Sequence, residues 1–448
     1  MTTDIASWIR ERAISEVECI VPDMNGIQRG KVLPAAKFLK SVEDRTLRIP
    51  GSVFIVTVTG GYPEDIQHIV PDFDPDLILV PDATTIREAP GYKTPTAYVI
   101  ADAFDGAGKA VEIAPRQILK KVLALYAAKG WKPVIAPEAE FYLVSKNLDA
   151  DFPLTPPPGR SGRAETASEA FGLEALSEYE DIIEQIYDWC EKAELNIDTM
   201  IHEAGAAQLE VNFIHGDPLA LADQVLLFKR IVRQVALEHG VYATFMAKPM
   251  ANEPGSAMHV HQSLVDADGR NIFSNPDGSP SKEFYWYIGG LQKYTPAAMA
   301  LFAPYVNSYR RLARSTAAPI NIQWGTDNRT VGIRSPVATP AARRVENRVI
   351  GADANPYVAL AATLACGYLG IKNRIEPTPE CKGDAYLSEY QLPRSLNEAL
   401  GWLADEKDLH DVLGKEFITV YSEVKDTEYG EFMKVISPWE REHLLLHV

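Results

Sequence analysis

The stretch Trp131–Val144 restricts the possible folds more than any other part of the chain. It reads as a strand, and within it Pro137-Glu138-Ala139-Glu140-Phe141 sets two carboxylates two residues apart. In a strand, residues i and i+2 share a face, so Glu138 and Glu140 point the same way. Val134, Ile135, Phe141 and Leu143 around them make the strand partly buried. Two carboxylates that close raise each other's pKa unless a cation lies between them. A buried like-charge pair without a counterion is costly. Either this is a solvated strand edge, or the fold delivers a cation to the face.

Three further clusters share this character. Asn196–His202 and Gln208–Ile214 read as two strands joined by Ala204-Gly205-Ala206-Ala207, a hairpin that brings Glu203 and Glu210 to one end of a sheet. Met258-His259-Val260-His261 puts two histidines on one strand face in a chain with nine in all, although a lone histidine of this kind is more often structural. In Arg343-Arg344-Val345-Glu346-Asn347-Arg348, Arg344, Glu346 and Arg348 share a face, either as a surface ion-pair ladder or as the lining of a cleft. Arg311, Arg329 and Arg334 add cations nearby in sequence. Taken together these are five carboxylates and an imidazole beside arginines. Oxygen-rich ligation selects Mg²⁺ or Mn²⁺ over zinc. Divalent ions beside several arginines describe a site for a polyphosphate and a carboxylate, the equipment of phosphoryl transfer.

Composition excludes several alternatives. The chain has 448 residues, 46% hydrophobic, with 44 Lys or Arg against 61 Asp or Glu and a net charge of −17. It is neither disordered, collagen-like nor a disulfide scaffold. Its acidity argues against nucleic acid and anionic membranes as partners. Cys19, Cys190, Cys366 and Cys381 form no CxxC pair and read as reduced thiols. Met1–Trp8 lacks a basic region followed by an apolar stretch, and no apolar run reaches the roughly 18 residues of a membrane span, so a cytoplasmic protein is expected. Gly26-Ile-Gln-Arg-Gly30-Lys31 is one residue short of a Walker loop and is followed by Val32. There is no GxSxG, and His202-Glu203 lacks the second His of HExxH. Any ATP used here is held by neither a Walker loop nor a kinase lysine.

Along the chain, Val17–Pro22, Val53–Val58 and Leu77–Val80 make the first part β-rich, and a helix is expected from Pro115 to about Lys129. Helices are expected over Leu173–Glu194, Pro218–His239, Glu283–Leu301 and Tyr357–Ile371, a strand over Ala257–Leu264, and a long loop over Asp151–Gly172. The fold class is α+β, with a small β domain over residues 1–110 ahead of a larger mixed domain over 111–448.

The ordered motifs resemble the glutamine synthetase family, class I type, over nearly the whole chain. They are Pro137-Glu-Ala-Glu-Phe141, His202-Glu203 with Gln208-Leu-Glu210, Lys248-Pro249 leading to Gly255-Ser-Ala-Met-His-Val-His261, Asn307-Ser-Tyr-Arg-Arg311, Asn328-Arg329 to Arg334, and Arg344-Val-Glu-Asn-Arg348 before Asn355-Pro356. The resemblance implies a β-grasp-like N-terminal domain and a catalytic domain with a curved antiparallel sheet. It implies that Glu140, Glu203 and Glu210 hold one Mg²⁺ or Mn²⁺ near the glutamate and the amine, and that Glu138, His259 and Glu346 hold a second on the ATP phosphates. Gly255, His261, Arg311 and Arg348 would bind glutamate, Arg334 and Arg344 phosphates, and Ser263 would lie near the adenine. Arg329 would stabilise the transferring phosphate and Glu203 would be the second catalytic group. The implied substrates are ATP, L-glutamate and an amine, joined through a γ-glutamyl phosphate. A hexameric ring or a stacked dodecamer is implied, with Trp439–Val448 either between rings or on its own subunit.

The departures bear on the amine. Ala317 stands where ammonia-using members carry a flap glutamate, Pro50 where they carry an ammonium-binding aspartate, and Pro254 where they carry an asparagine. Losing two carboxylates weakens attraction for ammonium and opens volume. The segment Asp23 to Lys31 also resembles the γ-glutamylpolyamine synthetase branch. The expectation is therefore a ligase of glutamate and a primary amine, with putrescine or another polyamine favoured. A monoamine ligase, true glutamine synthetase and a non-catalytic relative are the alternatives.

Overall fold

The computed structural model describes residues 4–64, 66–313 and 318–448. Its strands form two sheets. The first has the order Gln28–Pro34, Glu16–Pro22, Thr96–Phe104, Asp76–Pro81, Arg48–Pro50, with Arg87–Glu88 also pairing with Thr96–Phe104. Glu16–Pro22 and Thr96–Phe104 lie side by side and parallel, with Cys19 opposite Val99. Both are buried almost throughout, as expected of parallel strands covered on two faces.

The segment Val53–Val58, expected as a strand, is not one. It begins in a 3-10 turn, Gly51–Phe54, and continues without a ladder partner. Its β-branched residues are overruled because other groups take its backbone. The Gly51 amide donates to Pro75 O, Asn25 Nδ2 donates to Val56 O at 3.1 Å, and the Val58 amide donates to Glu428 Oε1 at 2.7 Å. The expected helix over Leu173–Glu194 is likewise divided, into Leu173–Ser177 and Glu180–Lys192.

The second sheet follows the order Trp324–Thr326, Ile333–Ser335, Val345–Asn347, Met258–Val265, Lys132–Ser145, Gln208–Phe213, Ile197–His202. Val241–Thr244 pairs with the far end of Lys132–Ser145. Apart from the parallel pair of Trp324–Thr326 with Ile333–Ser335, this sheet is antiparallel. In the central strand Pro133, Ile135, Pro137 and Ala139 are buried, while Val134, Ala136 and Glu138 are half-buried. That alternation turns one face to the core and leaves Glu138 and Glu140 on the other.

Helices Lys282–Phe302 and Pro356–Asn373 form the most intimate helix pair of the core. A methyl added to Gly290 would lie 2.3 Å from Cys366 O and 2.5 Å from Gly370 Cα, so two glycines set the crossing distance. Arg116, near the start of the helix Pro115–Ala127, ties the first sheet to the helix Pro218–Glu238. It reaches Asp82 (2.7 Å) and Asp102 (3.0 Å) of the first sheet and Asp223 (2.9 Å) of the helix Pro218–Glu238. Among the described residues no helix is long and apolar enough to cross a membrane.

Candidate active site

Strand register assembles the expected carboxylates. His259 stands opposite Glu138, Glu140 opposite Glu210, His261 opposite Glu346, and Glu346 opposite Arg334. Five strands thus bring residues more than two hundred positions apart onto one face. His259 Nδ1 lies 3.3 Å from Glu138 Oε2 and 3.8 Å from Glu346 Oε1, and His259 Nε2 lies 4.0 Å from Glu140 Oε1. Two groups have ligand atoms within 4.8 Å of one another: Glu138, His259 and Glu346, and Glu140, Glu210 and His259. His259 belongs to both and stands between them. Glu203 is outside this distance but close enough that its charge acts on Glu140 and Glu210.

Electrostatics divides the cluster. Burial, followed by the charge of Glu203, pushes Glu140 up to about 8. Burial, with the charges of Glu138, Glu140 and Glu203, pushes Glu210 up to about 9. Glu203 is raised as well, chiefly by burial. At the other end burial is overcome: Arg348, His259 and His261 bring Glu346 down to about 2. Hydrogen bonds from the two histidines hold Glu138 below the usual carboxylate range in the same way. Burial and Arg348 bring His259 down to about 4, which leaves it neutral, the form that ligates metal. Three acids that resist ionisation beside a neutral imidazole are what a hard divalent cation would relieve, so the donor set fits Mg²⁺ or Mn²⁺.

The expected arginines are distributed around this cluster. Arg334 Nη1 donates to Glu346 Oε2 at 2.9 Å, and Arg348 Nη1 donates to Glu346 Oε1. The Nε atoms of both arginines are buried without a partner among the described residues, orphan donors at the edge of the carboxylates. Arg344 Nε donates to His261 Nδ1 at 3.2 Å, and His261 Nε2 lies 2.8 Å from Glu138 Oε1. Arg311 is buried and donates to the carbonyls of Val349 and Arg348. A methyl on Gly255 would lie 2.5 Å from Arg311 Cγ, so this position needs glycine. Ser263, opposite Val134, lies two residues along from His261 and shares its strand face. Arg329 is exposed, and its charge reaches Glu203. Pro50 is exposed at the end of its strand. Ala317 lies outside the described residues. A cleft of about 990 Å³ between Val58, Lys248, Tyr305 and Phe432 contains none of the expected metal ligands.

Residues 112–444 match the family described as glutamine synthetase, catalytic domain. The chain belongs to the glutamine synthetase family. It is 33% identical over 433 residues to gamma-glutamylputrescine synthetase PuuA of Escherichia coli (strain K12), covering 96% of this chain and 91% of that protein. It is 31% identical over 444 residues to glutamate–isopropylamine ligase of a Pseudomonas species, covering 97% and 96%. The solved structure described as "Apo GmaS without ligand" matches with a TM-score of 0.84 and 29% identity, covering 100% of both chains. Members of the glutamine synthetase family are ATP-dependent ligases, and this chain is an enzyme of that kind.

Sequence reasoning gives no role to two side chains that hold the cluster. Gln208 Nε2 donates to Glu140 Oε2 at 3.2 Å and to Gly255 O at 3.1 Å, linking the hairpin to the histidine strand. Asn212 Nδ2 donates to Glu210 Oε1 at 3.1 Å. Both lie two residues from Glu210, on its face, and the alternation rule that selects Glu138 and Glu140 finds them too.

Proposed function

We propose that the protein joins the γ-carboxylate of L-glutamate to a primary amine, with putrescine or another polyamine favoured, at the expense of ATP. The observation that carries this reading is the gathering of Glu138, Glu140, Glu210, His259 and Glu346 on one sheet face, with Glu203 alongside. Arg334 and Arg348 border that face with buried donors that have no partner among the described residues. In this reading Glu140, Glu203 and Glu210 hold one Mg²⁺ or Mn²⁺, and Glu138, His259 and Glu346 hold another. Those ions would neutralise charge on the phosphates and on the carboxylate that attacks them.

The chain's own groups do the rest. Arg311, Gly255, His261 and Arg348 hold glutamate. Arg334 and Arg344 hold ATP phosphates, and Ser263 sits by the adenine. A γ-carboxylate oxygen attacks the terminal phosphorus and the bond to ADP breaks, with Arg329 stabilising the charge in transit. The amine nitrogen then attacks the acyl carbon, phosphate leaves and a proton is released, with Glu203 beside the reacting nitrogen. Residues 1–110 and 111–448 are read as the two domains, in support of which the first sheet ends at Phe104 and the helix Pro115–Ala127 precedes the second. A homo-oligomer, hexamer or dodecamer, belongs to the same reading.

The preference for a larger amine over ammonia rests on Pro50 and Ala317, neither of which supplies an anion for ammonium. The relatives named for putrescine and for isopropylamine support an organic amine. The test is glutamate-dependent ADP release with ammonia, putrescine, spermidine and small monoamines. Putrescine or spermidine should give the highest kcat/KM; ammonia in first place would overturn the preference.

A further inference from the structure

The turn Ala204–Ala207 separates Glu203 from Glu210, and two acids outside the metal cluster hold it. Glu165 Oε2 accepts from the Ala207 amide at 2.8 Å, and both its oxygens lie 3.1 Å from His202 Nε2. Its hydrogen-bonding capacity is engaged. Glu253 Oε2 accepts from the Ala206 amide at 2.9 Å, and no side chain of the described residues donates to this carboxylate. The nearby Lys248 donates from its Nζ to the backbone carbonyl of Glu253 and feels the charge of the carboxylate, without a direct ion pair between the two among the described residues. The half-buried Glu253 thus keeps one oxygen free of any donor among the described residues.

Tyr142 fixes where that oxygen lies relative to the chemistry. Its Oη donates to Pro254 O at 2.8 Å, one residue from Glu253. A methyl on Gly205 would sit 1.9 Å from the same Oη, so the phenol lies directly against the turn. The hydroxyl thus sits between the Glu253–Pro254 backbone and the turn that follows Glu203. Glu253 therefore lies on the turn that follows Glu203, and among the described residues it joins no metal group and forms no ion pair. A carboxylate in that position is matched by a ligand with a second positive charge a few carbons from its reacting nitrogen.

We propose that Glu253 is a specificity-determining residue that receives the distal ammonium of an alkyl diamine, with Tyr142 and the Ala204–Ala207 turn beneath the chain between the two nitrogens. This rests on the ligase reading and narrows its amine to one with a cationic tail. The test compares kcat/KM for putrescine and for butylamine, which has the same carbon chain without the second charge. The wild type should favour putrescine, and Glu253→Gln should lower the putrescine-to-butylamine ratio by about tenfold to a hundredfold, the worth of a hydrogen bond to a charged group. Most of the change should appear in KM for putrescine. An unchanged ratio, whether both substrates fall together or neither does, would overturn the assignment. Should the variant not fold, the wild type alone still decides: equal use of the two amines overturns the role of Glu253 and the polyamine preference, and leaves the ligase reading standing. Failure of every amine, ammonia included, to support glutamate-dependent ADP release would overturn the ligase reading beneath it.

Discussion

His259 stands directly across the ladder from Glu138, with Nδ1 3.3 Å from Glu138 Oε2, and its other nitrogen faces Glu140 at 4.0 Å. One imidazole therefore borders both groups of carboxylates. Replacing it with Ala removes a donor from each, and Mn²⁺ affinity should fall by more than about tenfold. Isothermal titration of wild type and His259→Ala with Mn²⁺ measures this directly. Unchanged affinity would place the metal elsewhere.

Metal and protons compete for the same acids. Glu140 and Glu210, raised to about 8 and about 9, hold protons at neutral pH in the metal-free protein. An acid whose folded pKa exceeds its unfolded one binds more protons folded than unfolded, so its stabilising effect is complete at low pH. That effect is lost as pH rises from the unfolded value toward the folded one. The unfolded value is 4.5 for both, so the metal-free protein should lose stability progressively between about pH 5 and pH 9. Mn²⁺ replaces those protons, and the gap in Tm between Mn²⁺-loaded and chelator-treated protein should widen with pH. Thermal melts at pH 6, 7.5 and 9 supply the comparison.

Arg116 is almost fully buried and joins Asp82, Asp102 and Asp223. Arg116→Met would leave these carboxylates together without their cation, at a cost of about 3–5 kcal/mol. Urea denaturation should show the loss as a lower midpoint.

The crossing of Lys282–Phe302 and Pro356–Asn373 depends on Gly290 and Gly370. Gly290→Ala places a methyl against a carbonyl and a Cα rather than against a flexible side chain, so relief requires the helices to part. Overpacking of this kind costs about 1–3 kcal/mol. A lower urea midpoint with an unchanged m-value is the expected result.

Arg329 is exposed beside the acids, and its proposed task is to meet charge that develops only during phosphoryl transfer. Arg329→Ala should lower kcat by about 10²–10³ while leaving glutamate KM nearly unchanged. A rise in KM at constant kcat would assign it to ground-state binding instead.

Much of the candidate site is legible in the sequence because strands alternate. Glu138 and Glu140 have to share a face, as do His259 and His261, whatever the rest of the chain does. Register is not legible: nothing in the local sequence says that His259 pairs with Glu138, 121 residues away, or that Arg334 pairs with Glu346 across an irregular connection. The same limit hides Glu253, whose significance comes from the Ala206 amide 47 residues earlier in the chain. Val53–Val58 departs from expectation for another reason. Its residues favour a strand, but Asn25, Pro75 and Glu428 take backbone groups in and beside it first. The helix Lys415–Phe432 does not stand out in the sequence either. Its buried Lys425 and Glu428 interrupt the apolar face and reveal their place only through Asn25 and Val58, 403 and 370 residues before Glu428 in the chain.

The central claim is that glutamate is activated as an acyl phosphate and then captured by an amine. Glutamate carrying ¹⁸O in its γ-carboxylate tests it most directly, with ATP, Mg²⁺ and putrescine present. One labelled oxygen should appear in the released phosphate, in step with γ-glutamylputrescine formation. Phosphate free of label while ADP accumulates would contradict the account.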